Sequence, residues 1–419
     1  MALDRAKRLF DELAQISADP PGVTRASFGA CENAAHAMIT REACLIGLET
    51  RTDEIGNLYV TLPGRDRGAP VLMTGSHIDS VPHGGNFDGA AGVLAGLVLL
   101  ERLAQGPTPP CDVTLIVIRA EEMIWFPEHY LGSRAAFGLL PPDAPERLIR
   151  SGGGQSLATH MAEAGFDPQA IRDQRAQLDP ACIAAFVETH IEQGPVLTDA
   201  NCAVGIVTAI RGNLRHRYCR IVGETTHAGG VPRQSRRDAV LAGVELVSVL
   251  EAHWLAAEDA GDDMVLTIGE FTTDPAMHGI TKVPGLLSFT IDVRSQDDSV
   301  LEHFEQTLQT LAQQISRKRG VEIDLGRYTQ AAAAPMATDI RHGLLEAAAA
   351  CAVSHMELAS GGGHDCATFA AQGVPAGMLF IRNQNGSHNP DEHMEFEDFS
   401  AACDVLTAWA KGVLTETGT

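Results

Sequence analysis

The strongest constraint on the fold is a strand–helix–strand run in the first third of the chain. Residues 71–74 are a short apolar run, residues 90–103 a helix-length stretch of small and apolar side chains, and residues 113–118 a second apolar run rich in β-branched residues. Near-continuous apolar strands of this kind belong in a sheet covered on both faces. Residues 56–62, closed by Pro63 and Gly64, read as one more strand. In such sheets ligands collect beyond the carboxyl ends of the strands. The polar stretches Gly75-Ser76-His77-Ile78-Asp79 and Arg119-Ala120-Glu121-Glu122 stand there, directly after the two apolar runs.

The middle of the chain has a different order. Residues 217–222 read as a strand, 236–256 as a long helix, 265–272 and 286–293 as strands, 299–318 as a helix and 321–325 as a last strand. This β-α-β-β-α-β order describes a small α+β sandwich with one exposed sheet face. Beyond residue 332 the first pattern resumes, with a helix near 343–352, a strand at 374–381 and a closing helix at 396–414. The expected fold is therefore two-domain α/β. A mixed, mostly parallel sheet covered by helices is built from residues 1–211 and 330–419, and an α+β sandwich is inserted at 212–329.

Composition narrows the partners. With 31 Lys and Arg against 54 Asp and Glu, the chain carries a formal charge of −23. Such a field repels nucleic acid and anionic membrane surfaces, and neither is expected as a partner. An anionic substrate would need local Arg or His. The nine cysteines are scattered without a CxxC pair, which argues against a disulfide framework and for a reducing, cytoplasmic location. The opening residues MALDRAKRLFDELAQIS read as an amphipathic helix, not a signal peptide. No apolar run approaches the roughly 18 residues of a membrane span, so none is expected.

Five short segments concentrate metal-ligating chemistry. They carry His77 and Asp79; Asp88, in Gly84-Gly85-Asn86-Phe87-Asp88-Gly89; Glu121 and Glu122; His190 and Gln193, in Glu188-Thr189-His190-Ile191-Glu192-Gln193; and His388, in Asn385-Gly386-Ser387-His388. Each reads as a loop after an apolar run. Imidazole and carboxylate suit zinc, manganese, cobalt or nickel, and a carboxylate such as Asp88 has two oxygens with which to bridge two ions. Taken singly, each has a plain alternative: a loop histidine is usually a surface residue, and a Glu-Glu pair usually opens a solvated helix. The residues are also too far apart in sequence for a local zinc motif, so spacing alone does not prove a site.

Their joint order adds more. GSHIDSVPHGGNFDG, LGSRAAFG, ETHIEQGPVL, GETTHAG, SGGGHD and GSHNPDE follow one another from residue 75 to residue 392. The set resembles the metallopeptidase superfamily of carboxypeptidase G, the aminoacylases and the succinyl-diaminopimelate desuccinylases. More narrowly, it resembles the branch of N-carbamoyl-L-amino acid hydrolases, β-ureidopropionases and allantoate amidohydrolases.

The resemblance implies two divalent ions, zinc or manganese foremost, with cobalt and nickel as alternatives. One would be held by His77, Asp88 and His190, the other by Asp88, Glu122 and His388. It implies Glu121 as general base and Asp79 as the carboxylate that orients the His77 imidazole. The inserted sandwich becomes a lid and dimerisation domain, which makes a homodimer the expected assembly. His227 matches the lid histidine that helps stabilise an oxyanion, and Arg294 the arginine that clamps a substrate carboxylate. Gln193, His364 and Thr281 are further expected substrate contacts, and Arg134 a structural residue.

Two departures stand out. Where the family continues its Glu-Glu pair with Gly-Ser-Arg-Phe, this chain has Met123-Ile124-Trp125-Phe126. Thr281 takes the place of the family's Asn before the Pro-Gly turn, with Lys282 beside it. Both tell against allantoate, which is small and polar throughout. The expected substrate is a small, carboxylate-bearing ureido or N-acyl compound, most simply an N-carbamoyl-L-amino acid. The alternatives are an N-acyl amino acid deacylase or dipeptidase, an allantoate- or ureidoglycolate-type amidohydrolase, and a catalytically silent binding protein. The complete ligand set and base stand against the last.

Overall fold

In this computed structural model, which describes residues 1–416, Val113–Ile118 is buried along its whole length. Its position explains why. It pairs in parallel with Val71–His77, which pairs in parallel with Ile183–Ile191, which pairs in parallel with Ala376–Ile381. These four strands are the centre of a nine-stranded sheet whose outer strands, Leu58–Leu62, Glu49–Thr52 and Val204–Ile210, run antiparallel to their neighbours. Parallel alignment brings the carboxyl ends of the central four to one side of the sheet.

Helix Ala90–Ala104 is buried on nearly every side, packed on the central strands and under helices Ala2–Ile16 and Phe396–Glu416. Its small residues allow the close approach: a Cβ at Gly92 would lie 1.9 Å from the Thr189 carbonyl oxygen. Helix Ala2–Ile16 has the expected amphipathic pattern, burying Ala2, Ala6, Leu9, Phe10 and Leu13. Between Ile118 and Ile183 the chain folds into four short helices, Leu131–Ala136, Ala144–Arg147, Leu157–Glu163 and Gln169–Arg172. They enclose a small core of their own around Phe126, Leu140, Leu148 and Met161.

By chain contacts the molecule divides into one unit of Met1–Thr208 with the chain from Pro335 onward, and a second of Ala209–Ala334. The second holds an antiparallel sheet in the order Val265–Thr267, Leu286–Ser295, Gly212–Val222, Glu322–Asp324, with helices Ala239–Ala260 and Asp298–Arg319 packed on it. Asp238 and Asp297 cap the two helices through backbone N–H groups of Leu241 and Ser299. The strand expected over 265–272 is two pieces, Val265–Thr267 and Phe271–Thr273, both paired to Leu286–Ser295. The ladder breaks because Thr290 Oγ1 accepts the Glu270 N–H, beside an irregularity between Phe289 and Ile291. Helix Ala239–Ala260 is long and apolar enough in composition to cross a membrane. Here it buries Ala239, Ala242, Leu246 and Leu250 in the sandwich and carries Glu245 and Glu251 among its apolar residues.

Candidate metal centre

The site grows from the carboxyl ends of the central strands. His77 is the last residue of Val71–His77 and His190 lies inside Ile183–Ile191, so both are strand residues and not the loop residues expected. Strand placement fixes them more firmly. The loop from Ile78 to Gly89 then brings Asp79 and Asp88 back against them. Gly89 closes it with a φ of 63°, and a Cβ there would lie 2.5 Å from the His77 ring. Only glycine meets both conditions.

Each histidine has its Nδ1 engaged, and His190 Nε2 also accepts the Gly89 N–H at 3.2 Å. His77 Nδ1 lies 3.1 Å from the Asp79 carbonyl oxygen and 3.3 Å from Asp79 Oδ1. His190 Nδ1 lies 2.9 Å from the Ile191 carbonyl oxygen. With the proton on Nδ1 in each ring, both Nε2 atoms present lone pairs. Those atoms are 3.4 Å apart and sit 3.4 Å and 3.1 Å from Asp88 Oδ1. Burial disfavours charge on either ring, yet Asp79 and Asp88 hold His77 well above the ordinary imidazole range and Asp88 raises His190. The Asp88 oxygen thus calls for positive charge at this point, which a proton supplies in the metal-free protein and a cation would supply in its place.

The second oxygen of Asp88 faces a second cluster. His388 Nε2 is 3.4 Å from Asp88 Oδ2 and 3.6 Å from Glu122 Oε1. Glu122 Oε1 is buried and has no hydrogen-bond partner, which is costly for a carboxylate oxygen. His77, Asp88 and His190 form one group of converging donors, and Asp88, Glu122 and His388 another. The orphaned oxygen, the facing Nε2 atoms and the all-imidazole-and-carboxylate donor set fit a pair of divalent cations sharing Asp88.

Electrostatics follows the same lines. Burial alone would raise Asp88, but His190, His388 and His77 hold it well below the usual carboxylate range. Burial and the charge of Asp88 push Glu122 up to about 7. Glu121 is pushed well up by burial and by Glu122, Asp365 and Asp79, against the pull of His77. The hydrogen bond to Asp88 is the main force lifting His388 to about 9.

Other residues support these groups. Glu392 accepts the backbone N–H groups of Phe87 and Asp88 and the Ser387 hydroxyl, which sets the Asp88 turn. Asp79, besides its contact with His77, accepts the N–H groups of Glu121 and Glu122 at 3.2 Å. Ala120, at a φ of 54°, donates its N–H to Glu32, which in turn takes Arg119 Nη1 at 2.7 Å. That fully enclosed ion pair holds the bend from which Glu121 and Glu122 project. Glu392 stands inside the GSHNPDE segment and Arg119 opens the Arg-Ala-Glu-Glu stretch; nothing in the sequence pointed to Glu32.

The expected substrate contacts divide. Gln193 donates to Asp88 Oδ2 at 2.9 Å, so its amide steadies that carboxylate. His364 is buried, its ring 4.4 Å from that of His190 and its Nε2 3.1 Å from Ser360 Oγ. Arg134 pairs with Glu128, as a structural residue would. His227, Thr281 and Arg294 belong to the second unit. There Thr226–His227 pairs with Lys282–Val283, and the Thr281 carbonyl accepts the Ala228 N–H. His227 Nδ1 accepts from the N–H groups of Gly229 and Gly230, leaving Nε2 as its proton-bearing nitrogen. Arg294 donates to both oxygens of Asp292, which also receives Arg215.

Residues 73–412 match the sequence model of peptidase family M20/M25/M40. The chain belongs to that family. Among its relatives, the allantoate amidohydrolase of Escherichia coli (strain K12) is 35% identical, with 95% of this chain and 96% of that protein covered. The N-carbamoyl-L-amino acid amidohydrolase of Geobacillus stearothermophilus is 34% identical, over 95% of this chain and 96% of its own length. A solved structure of a putative amidohydrolase/peptidase from Burkholderia cenocepacia superposes with a TM-score of 0.87 at 27% identity, covering 98% of both chains. This M20/M25/M40 member is a hydrolase of C–N amide bonds.

Proposed function

We propose that the chain hydrolyses N-carbamoyl-L-amino acids to the amino acid, carbon dioxide and ammonia, using two cations held by His77, Asp88 and His190 and by Asp88, Glu122 and His388. The observation that carries the metal reading is the convergence of the His77 and His190 Nε2 atoms on one oxygen of Asp88, with the unpartnered Glu122 oxygen near its other oxygen. Bound there, the cations would supply Lewis acidity toward a ureido carbonyl and acidify water; zinc and manganese suit the donors best. Glu121 stands next to the ligand Glu122, within a further donor group of His77, Glu121 and Glu122; we read it as the base and not a ligand, with its backbone fixed by Asp79. In this reading its carboxylate takes a proton from water and hands it to the leaving nitrogen. Asp79 keeps the His77 imidazole in one tautomer.

The test is a panel of N-carbamoyl and N-acyl amino acids offered to metal-depleted and metal-reconstituted protein. Turnover of the carbamoyl series with release of both ammonia and carbon dioxide, restored by zinc or manganese, is the expected result. An acyl-only activity would replace this reading with a deacylase, and inertness toward both would end it. We further infer a homodimer formed through the second unit, supported by the exposed Leu241, Val244, Val249 and Leu255 of helix Ala239–Ala260. Light scattering should give twice the chain mass, and a monomer at micromolar concentration would refute it.

A further inference from the structure

The segment after the base departs from its family and has a structure of its own. Trp125 N–H donates to the Glu122 carbonyl at 3.2 Å, closing a tight turn whose two middle residues are Met123 and Ile124. Turn geometry keeps its ends within about 7 Å, so both side chains start beside Glu122. Met123 is 40% exposed and Ile124 47%. Neither anchors the fold; Phe126, only 1% exposed, does that by filling the small core.

The turn is rigid. The Trp125 indole Nε1 donates to the Ser80 carbonyl at 2.8 Å, tying it to the loop that carries Asp79. The Trp125 carbonyl accepts the Ser151 N–H at 2.9 Å. The Arg150 guanidinium lies 4.9 Å from the indole ring centre and donates to His160 Nδ1. Arg150 makes no ion pair with a carboxylate among the described residues; the ring and His160 hold it. A mobile surface loop with apolar residues would be unremarkable. Here two apolar side chains are held out in solvent by a braced backbone, on the two residues that directly follow Glu122. A preorganised apolar surface at such a place favours binding by sparing the ordering cost.

We propose that Met123 and Ile124, with Trp125 as their backing, form the surface that receives the substrate's side chain and selects an apolar one. This rests on the hydrolase reading above and names the side chain it left open. An acidic side chain would be desolvated against this apolar surface without gaining a hydrogen-bond partner from it.

The experiment compares kcat/KM for N-carbamoyl-L-phenylalanine, -leucine, -aspartate and -glycine in the wild type and in a Met123→Ser, Ile124→Ser double variant. Both positions are exposed, so folding is not at stake. Wild type should favour the apolar pair over glycine by about 10-fold or more, with aspartate poorest. The double variant should lose most of that ratio. Equal rates for glycine and phenylalanine in the wild type, or a ratio unchanged in the variant, would overturn the proposal. The same comparison with N-acetyl amino acids separates the two ideas: if only that series turns over, the carbamoyl reading falls while its side-chain ratio still decides this one. Inertness in both series overturns both.

Discussion

Glu121→Gln is expected to leave the protein folded and able to take up metal while turnover falls roughly 10²–10⁴-fold, the usual worth of a positioned general base. The two side chains have the same shape, so the Glu121 N–H to Asp79 and the neighbouring Glu122 are undisturbed. What disappears is a carboxylate able to accept a proton. Burial and three neighbouring carboxylates push Glu121 upward in the metal-free protein; nearby divalent cations reverse that balance and keep it ionised near neutral pH. The measurement is kcat alongside metal content and Tm. Near-normal kcat would remove Glu121 from its role as base. Loss of metal together with activity would show that the residue is a ligand instead.

The extent to which this site could be read from sequence depends on which force places each residue. Val113–Ile118 was legible because a strand buried on both faces is apolar throughout. Asp88 stood out through its glycines, one of which the His77 ring requires. The assembly of five ligands was legible only as a family resemblance, since residues so far apart carry no local period. Helix Ala30–Ile46 went unread for an opposite reason. Its buried face includes Glu32, His36 and Glu42, and polar residues on the inner side erase the amphipathic signal. Those same residues do structural work: Glu42 gathers Arg5, Arg8 and Arg41, and Glu32 fixes the bend before the base. The four short helices between Leu131 and Arg172 have at most seven residues each, too few for a 3.6-residue period to show.

Glu122→Gln should stabilise the metal-free protein and abolish its stabilisation by metal, an inversion that a merely structural carboxylate would not produce. In the folded state Glu122 is pushed up to about 7 from an ordinary 4.5, by burial first and the Asp88 charge second. A carboxylate whose pKa is raised on folding binds more protons folded than unfolded between those values. Its stability contribution is therefore whole below about 4.5 and lost as pH rises through about 7. A shift of that size in a single group corresponds to roughly 3 kcal/mol, and His388 beside it tempers the loss. Without metal the wild type should melt lower at pH 8 than at pH 6, while the glutamine variant shows less of that decline and melts higher than wild type at pH 8. Saturating cation at 1,000 times its Kd adds about 4 kcal/mol to a protein that binds it only when folded, so the order should reverse when zinc or manganese is added. Thermal melts at both pH values, with chelator and with metal, check this. A variant less stable than wild type under chelator at pH 8, or stabilised by metal as fully as wild type, would mean that the strain at Glu122 is not there for a cation.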